Sequence, residues 1–288
     1  MRPRPKPQCR DTKWMFDAIL LFREALYGTL VIALACSVLG VYVVLRRIVF
    51  VGAALAQLSS AGIALALWLS GQGMILWLAD RPIALALLLT LAGVVFFASG
   101  SSRGRIPPDA TIGVTYAVAA AVGILLIAKA AHGEAHDIFL QGNILGITRA
   151  DTLILLATAI PVLLAHALFY KEFLFVSFDR ETARTLGFNV DFWNLFLYLT
   201  LGLVIAFAMQ FAGVMLVFNF LVLPAVTGLL VSRSMGGTFM WSIISALVAA
   251  VIGFSVSVPL DLPSGPAIIA VSGVLAVVAF LIRLLQRR

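Results

Sequence analysis

Residues 194–232 read NLFLYLTLGLVIAFAMQFAGVMLVFNFLVLPAVTGLLVS, without one charged side chain. A helix crossing the hydrocarbon core of a bilayer takes about 20 apolar residues. The stretch is therefore long enough for two crossings, with Gln210 and Gly213 as the interruption suited to a turn. In lipid the backbone must satisfy its own hydrogen bonds, which leaves helices or closed barrels. Solid apolar runs, as opposed to alternation, select helices. Working outward, similar runs fall at 25–45, 50–70, 82–99, 110–130, 151–170, 238–257 and 265–284. Together with 193–210 and 213–231 they make nine candidate transmembrane helices, or eight if the central pair is one. The expected fold class is all-α, a polytopic membrane-embedded helical bundle.

Composition agrees. Hydrophobic residues make up 62% of the 288 and charged residues 11%, where soluble domains carry about 45–50% and about 25%. Mean hydropathy is +1.09. The net charge of +7 does not point to nucleic acid, because the basic residues lie between apolar runs, as in cytoplasmic loops. Cys9 and Cys36 form no CxxC or zinc spacing and read as free thiols. The start, Met1-Arg-Pro-Arg-Pro-Lys-Pro, lacks the features of a signal peptide.

Three segments follow. Residues 1–24 form a basic tail with an interfacial amphipathic stretch (Trp14, Phe16, Ile19 and Leu20 against Lys13, Asp17, Arg23 and Glu24). Residues 25–284 form one transmembrane domain, and 285–288 a cytoplasmic tail. With the C-terminus inside, nine crossings place Arg46 and Arg47, Arg103 and Arg105, Lys171, Arg180 and Arg184, Arg233, and Arg283, Arg287 and Arg288 in the cytoplasm. The opposite loops hold only Arg81, Lys129 and Arg149, and the N-terminus is expected outside despite its own basic residues.

The inner loop Lys171–Asp191 contains a short capped helix. Asp179 is a suitable N-cap, Glu181 suits the positive helix start, and Gly187 a left-handed stop. A helix from Arg180 to Leu186 would be about 10 Å long, with Ala183 and Leu186 as a small apolar face. It has the size to dock into a groove on a soluble partner, and by itself it equally fits a loop helix lying on the membrane surface.

Six stretches then match one family in chain order: Val43-Val-Leu-Arg-Arg47, Asp109-Ala-Thr-Ile-Gly113, Gly142-Asn-Ile-Leu-Gly146, Phe178-Asp-Arg-Glu-Thr-Ala-Arg-Thr-Leu-Gly187, Gly213-Val-Met-Leu-Val with Leu223-Pro-Ala225, and Leu260-Asp-Leu-Pro-Ser-Gly-Pro266. Over residues 25–284 the chain resembles the permease subunits of bacterial ABC importers for divalent metals, of the zinc, manganese and iron type. The resemblance implies an importer permease of the inner (cytoplasmic) membrane that works as a dimer. A cytoplasmic ATPase would use the ATP, and an external solute-binding protein would deliver the ion. It implies that the segment holding Phe178, Asp179, Arg180, Glu181, Ala183, Arg184, Leu186 and Gly187 meets the ATPase. No cofactor and no catalytic residue is expected on this chain.

The sequence departs from the family in its second helix. Members typically begin that helix with G-D-A-L-S-H-A, whose Asp and His are associated with the metal path. Here the run is Gly52-Ala-Ala-Leu-Ala-Gln-Leu58, so Ala53 and Gln57 stand in those places. Ala has no donor atom, and the Gln carbonyl is a weak zinc ligand beside imidazole or carboxylate. A neutral path remains open, with Ala53, Gln57, Ser59, Ser60, Gln210 and Asn219 as candidates. Asn219 is equally read as an interhelical hydrogen-bonding residue. His132, Glu134, His136 and Asp137 form the one dense group of metal-type ligands, in an expected outer loop. His166 reads as a hydrogen-bonded packing residue, Asp109 as an N-cap, and Asp261 as part of a turn.

Two other functions compete. A gradient-driven secondary transporter usually keeps a carboxylate or histidine inside its helices, and here Asp109, Asp151 and Asp191 all sit at expected helix ends. An intramembrane enzyme would show an HExxH or GxSxG pattern, and neither occurs. There is also no GxxxxGK[ST] phosphate loop, so ATP hydrolysis would belong to another subunit. An ABC permease for a non-metal or unusual metal substrate stays open.

Overall fold

The structure is a computed structural model describing residues 22–71, 82–100, 107–129 and 144–286. The helices are α1 (Arg23–Leu45), α2 (Val49–Gly71), α3 (Pro82–Gly100), α4 (Pro108–Lys129), α5 (Arg149–Leu168), α6 (Tyr170–Phe178), α7 (Arg180–Thr185), α8 (Val190–Val231), α9 (Met235–Leu260) and α10 (Ser264–Gln286), with one 3-10 turn at Ile144–Gly146. No strand occurs among the described residues. Among the described residues seven helices are long and apolar enough to cross a membrane, and Pro82–Ala98 is a shorter apolar one.

The uncharged stretch forms α8, which is not straight. Asn194, near its start, bonds to Arg46 just past α1. Leu221 lies with its carbonyl against Gly40 of the same helix. A straight α-helix would separate Asn194 and Leu221 by about 40 Å, whereas Arg46 and Gly40 are about 9 Å apart along α1 at 1.5 Å per residue. The chain must therefore double back between them. It does so at Gly213, whose φ of 73° and ψ of 167° break the helix. This backbone region is essentially confined to glycine, and other residues held there pay about 1–3 kcal/mol. Gly213→Ala is accordingly expected to lower the thermal unfolding temperature of the detergent-solubilised protein, read by a thiol-independent stability assay. Wild-type stability in that variant would place the reversal elsewhere. With α8 counted as two limbs, the described residues carry all nine apolar runs.

Around α8 stand α1, α2, α3, α5, α9 and α10, so it is the axis of the bundle. Small residues allow the close approaches, as expected where lipid gives helices no hydrophobic reason to associate. Gly62 of α2 abuts the backbone of Ala86, and Gly253 of α9 abuts Ile268. Basic residues gather at one end. Arg46, Arg47, Arg180 and Arg184 share one cleft, and Arg233 and Arg283 share another. Phe239 of α9 touches Tyr42 and Tyr170, which ties those regions to the same end. At the other end, Ile147 meets Gly28 near the start of α1, and Asp261 closes α9 in a left-handed conformation with its N–H bonded to Ser257.

Two local readings change. Helix α4 begins at Pro108, so Asp109 lies in its first turn instead of capping it; proline is well suited to the first helical position. The polar loop before α7 contains a further helix, α6, which its charges hide from a hydropathy reading.

Candidate functional site

Helix α7 is short and firmly held. Asp179 accepts a hydrogen bond from the Thr182 N–H at 2.9 Å and another from the Thr182 hydroxyl. These two bonds hold the Asp179 carboxyl below the usual carboxylate range. At the other end the Gly187 N–H bonds to the Arg184 carbonyl and the Phe188 N–H to the Ala183 carbonyl. That is a Schellman closure, which requires the φ of +86° at Gly187. Phe188 then lies edge-on to Phe175 of α6. The Arg184–Asp191 pair at 3.2 Å is exposed on both sides and contributes little.

The expected apolar face of α7 is split. Ala183 is fully buried against Val176 and Val190, while Leu186 is 66% exposed. The reason is the length of the helix: it ends at Thr185, and Leu186 is already its C-cap. What α7 presents outward is therefore Leu186 and Phe178, both exposed apolar groups, flanked by Arg180, Glu181 and Arg184. Helix α6 fastens this unit to the bundle through Phe173, which is completely buried. Phe173 stacks on His166 at 4.2 Å and touches Tyr42, Trp193 and Phe196.

Beside α7 opens a cleft of about 940 Å³ lined by Arg46, Arg47, Arg180 and Arg184 together with Asp179, Glu181 and Asp191. Arg46 forms its wall. Burial, reinforced by the nearby charge of Arg180, lowers its pKa to about 10, which leaves it protonated at neutral pH. The sequence marked Arg46 as an inner-loop charge and as part of the Val43-Val-Leu-Arg-Arg47 stretch, without placing it in a site. The signal available was an arginine directly abutting a run of more than twenty uncharged residues.

The path candidates are strung along the bundle, not gathered. Ala53, Gln57 and Ser60 share one face of α2 at spacings of four and three. They keep 7%, 8% and 7% exposure, whereas Ala54, Leu55, Ala56 and Ser59 keep none. These three keep a small residual exposure on that face. Ser59 points away from it, into the packing. Gln210 is half-buried three residues before the reversal at Gly213, with its carbonyl oxygen unpartnered. Asn219 faces α10, where its amide donates to the Ser272 hydroxyl at 3.1 Å. His166 bonds to the Thr200 hydroxyl at 3.0 Å. His132, Glu134, His136 and Asp137 lie outside the described residues, as do Cys9 and most of the 1–24 segment. Among the described residues no group of three or more His, Cys, Asp or Glu could hold a metal ion.

A bundle of helices long and apolar enough to cross a membrane, presenting a short capped helix on its basic side, defines the class: a polytopic membrane protein. Comparison with known proteins specifies it. The model of the ABC 3 transport family matches residues 18–283. The manganese transport system membrane protein MntC of Listeria innocua is 32% identical over 261 residues, covering 90% of this chain and 89% of that protein. The manganese import system permease protein ScaB of Streptococcus gordonii is 30% identical, covering 92% of each. Among solved structures, PsaBC from Streptococcus pneumoniae in complex with Fab matches with a TM-score of 0.81 at 24% identity, over 94% of this chain and 95% of that one, a likeness of fold. The chain belongs to the ABC 3 transport family, and it is a multi-pass protein of the cytoplasmic membrane.

Proposed function

We propose that this chain is the permease of an importer that moves a divalent metal ion, manganese or a close relative, inward across the cytoplasmic membrane. A separate ATPase subunit grips α7, a second permease copy completes the channel, and an extracytoplasmic solute-binding protein supplies the ion. The chain hydrolyses no ATP and holds no cofactor. The observation that carries the reading is α7 itself: capped at both ends, anchored by Phe173, and presenting Phe178 and Leu186 among charges on the basic side of a family member. Manganese enters through the names of MntC and ScaB.

The α2 face qualifies the cargo. With Ala53 and Gln57 at the places that the family resemblance gives to Asp and His, the ion would meet neutral oxygens and keep more of its water. Tight binding is not needed for passage, because an ion held too firmly does not leave. The same face supports the second reading, an unusual metal or a chelated ion. Metal-by-metal uptake into proteoliposomes holding permease, ATPase and binding protein tests both. Manganese uptake that requires ATP supports the first, and uptake of a chelate alone supports the second. Transport without the ATPase would overturn both in favour of a gradient-driven carrier. Within this assay Gln57→Ala is expected to slow uptake by about fivefold, the equivalent of one neutral polar contact, and loss of all uptake would show that Gln57 is an obligatory ligand.

A further inference from the structure

Arg46 joins three element ends through its own side-chain hydrogen bonds: the end of α1, the end of α6 and the start of α8. It follows the last residue of α1, and only Arg46, Arg47 and Ile48 separate α1 from α2. Arg47 takes the left-handed conformation, φ 59°, that makes so short a turn possible, and the Ile48 N–H ties back to the Val43 carbonyl. Whatever holds Arg46 therefore holds the inner end of α2. Its Nε donates to the Ser177 hydroxyl at 2.8 Å, two residues before the Asp179 cap of α7. Its Nη1 donates to the Asn194 side-chain oxygen at 2.7 Å, in the first turns of α8. The residue is only 9% exposed.

We propose that Arg46 is the positioning residue that carries displacement of α7 to the inner end of α2, and so to the face bearing Ala53, Gln57 and Ser60. This rests on the reading of α7 as the ATPase contact and extends it. The chemistry of the fork fits a moving joint more closely than a fixed strut. Both its acceptors are neutral, whereas buried charges are ordinarily paired with an opposite charge. Its Nη2 has no partner although buried, while Asp179, Asp191 and Tyr198 line the same cleft. When α7 shifts, the guanidinium has acceptors to take up and weak ones to give up. Arginine provides five donors in a rigid plane, so it passes on direction as well as distance.

The test uses the assembled permease–ATPase complex in nanodiscs, with Cys9 and Cys36 replaced by serine. Spin labels are placed at Thr185→Cys on α7 or Phe50→Cys on α2, each paired with Arg283→Cys on α10. Trapping with ATP and vanadate is expected to shift both distances in the otherwise native protein. In Arg46→Gln the α7 distance should still shift and the α2 distance should stay fixed. Stimulation of ATPase by the binding protein should fall at least about tenfold, as for the loss of charge-assisted hydrogen bonds. Ser177→Ala, which leaves the charge in place, should show the same pattern in weaker form and covers the case that Arg46→Gln misfolds. If α2 still follows α7 in both variants, the inference is overturned. If α7 does not respond to nucleotide even in the native protein, the ATPase-contact reading fails first and this inference falls with it.

Discussion

Gly40→Ala is expected to be the most destabilising single methyl that can be added to this protein's described core. A Cβ at Gly40 would lie 2.1 Å from the Leu221 carbonyl oxygen and 2.8 Å from its carbon. Real Cβ contacts essentially never come below 3.0 Å, so α1 and the return limb of α8 would have to separate by nearly 1 Å. Overpacking typically costs about 1–3 kcal/mol, at the upper end or above when neither neighbour can rotate away. Here the neighbour is backbone, and Leu221 is itself fully buried between α1 and α2. The expected result is a fall in the detergent-phase unfolding temperature of well over 5 °C, or failure to accumulate as a monodisperse protein. Gly236→Ala is the control, since nothing lies within 4 Å of a Cβ there and alanine favours the helix by about 1 kcal/mol. Equal stability of Gly40→Ala and wild type would mean that α1 and the return limb of α8 do not meet at Leu221.

The contrast between these two glycines shows what a sequence can and cannot reveal. Hydropathy placed each spanning helix among the described residues within a few residues of its observed bounds, because lipid imposes one dominant requirement on length and composition. It even marked the reversal within α8, since Gly213 was one of two residues that could supply it. Helix α7 was legible for a different reason: Asp179 and Gly187 carry local chemistry, and local chemistry needs no tertiary context. Gly40, however, looks like any other small residue in an apolar run, and its role exists only once Leu221 has come back to meet it. Helix α6 was missed because Lys171 and Glu172 mask an apolar face built around Phe173. Arg46 was counted as a loop charge, although its partners Ser177 and Asn194 lie more than 130 residues along the chain. Asn219 was weighed for the path, and it was the position of Ser272 that showed where its amide points. For Gly40, Arg46 and Asn219 the deciding neighbour is remote in sequence, which periodicity and capping rules do not see.

The outward face of α7 sets the second large effect. Leu186→Glu combined with Phe178→Ser is expected to abolish stimulation of the ATPase by this chain, by at least about tenfold, while leaving the fold intact. A hot-spot side chain in a docking surface carries about 2 kcal/mol or more, and losing about 1.4 kcal/mol already means tenfold weaker association, so one such residue of the pair suffices for the expected effect. Both side chains are more than half exposed, so their removal takes nothing from the core, in contrast to Ala183. Asp179→Ala acts by another route. It removes the cap that accepts from Thr182, a loss of about 0.5–2 kcal/mol to the helix, and should weaken stimulation less than the double substitution does. Arg184→Glu leaves both caps in place and reverses one charge on the presented face, so its effect should fade as salt is raised, in keeping with a screened surface contact. Full stimulation in the Leu186 and Phe178 double variant, measured on monodisperse complex, would mean that the ATPase grips this permease somewhere other than α7. If the double variant is silent and Asp179→Ala nearly active, binding depends more on the apolar pair than on the order of the helix. If the two are equally silent, the ATPase recognises α7 only as a preformed turn, and its caps are as much part of the interface as its surface.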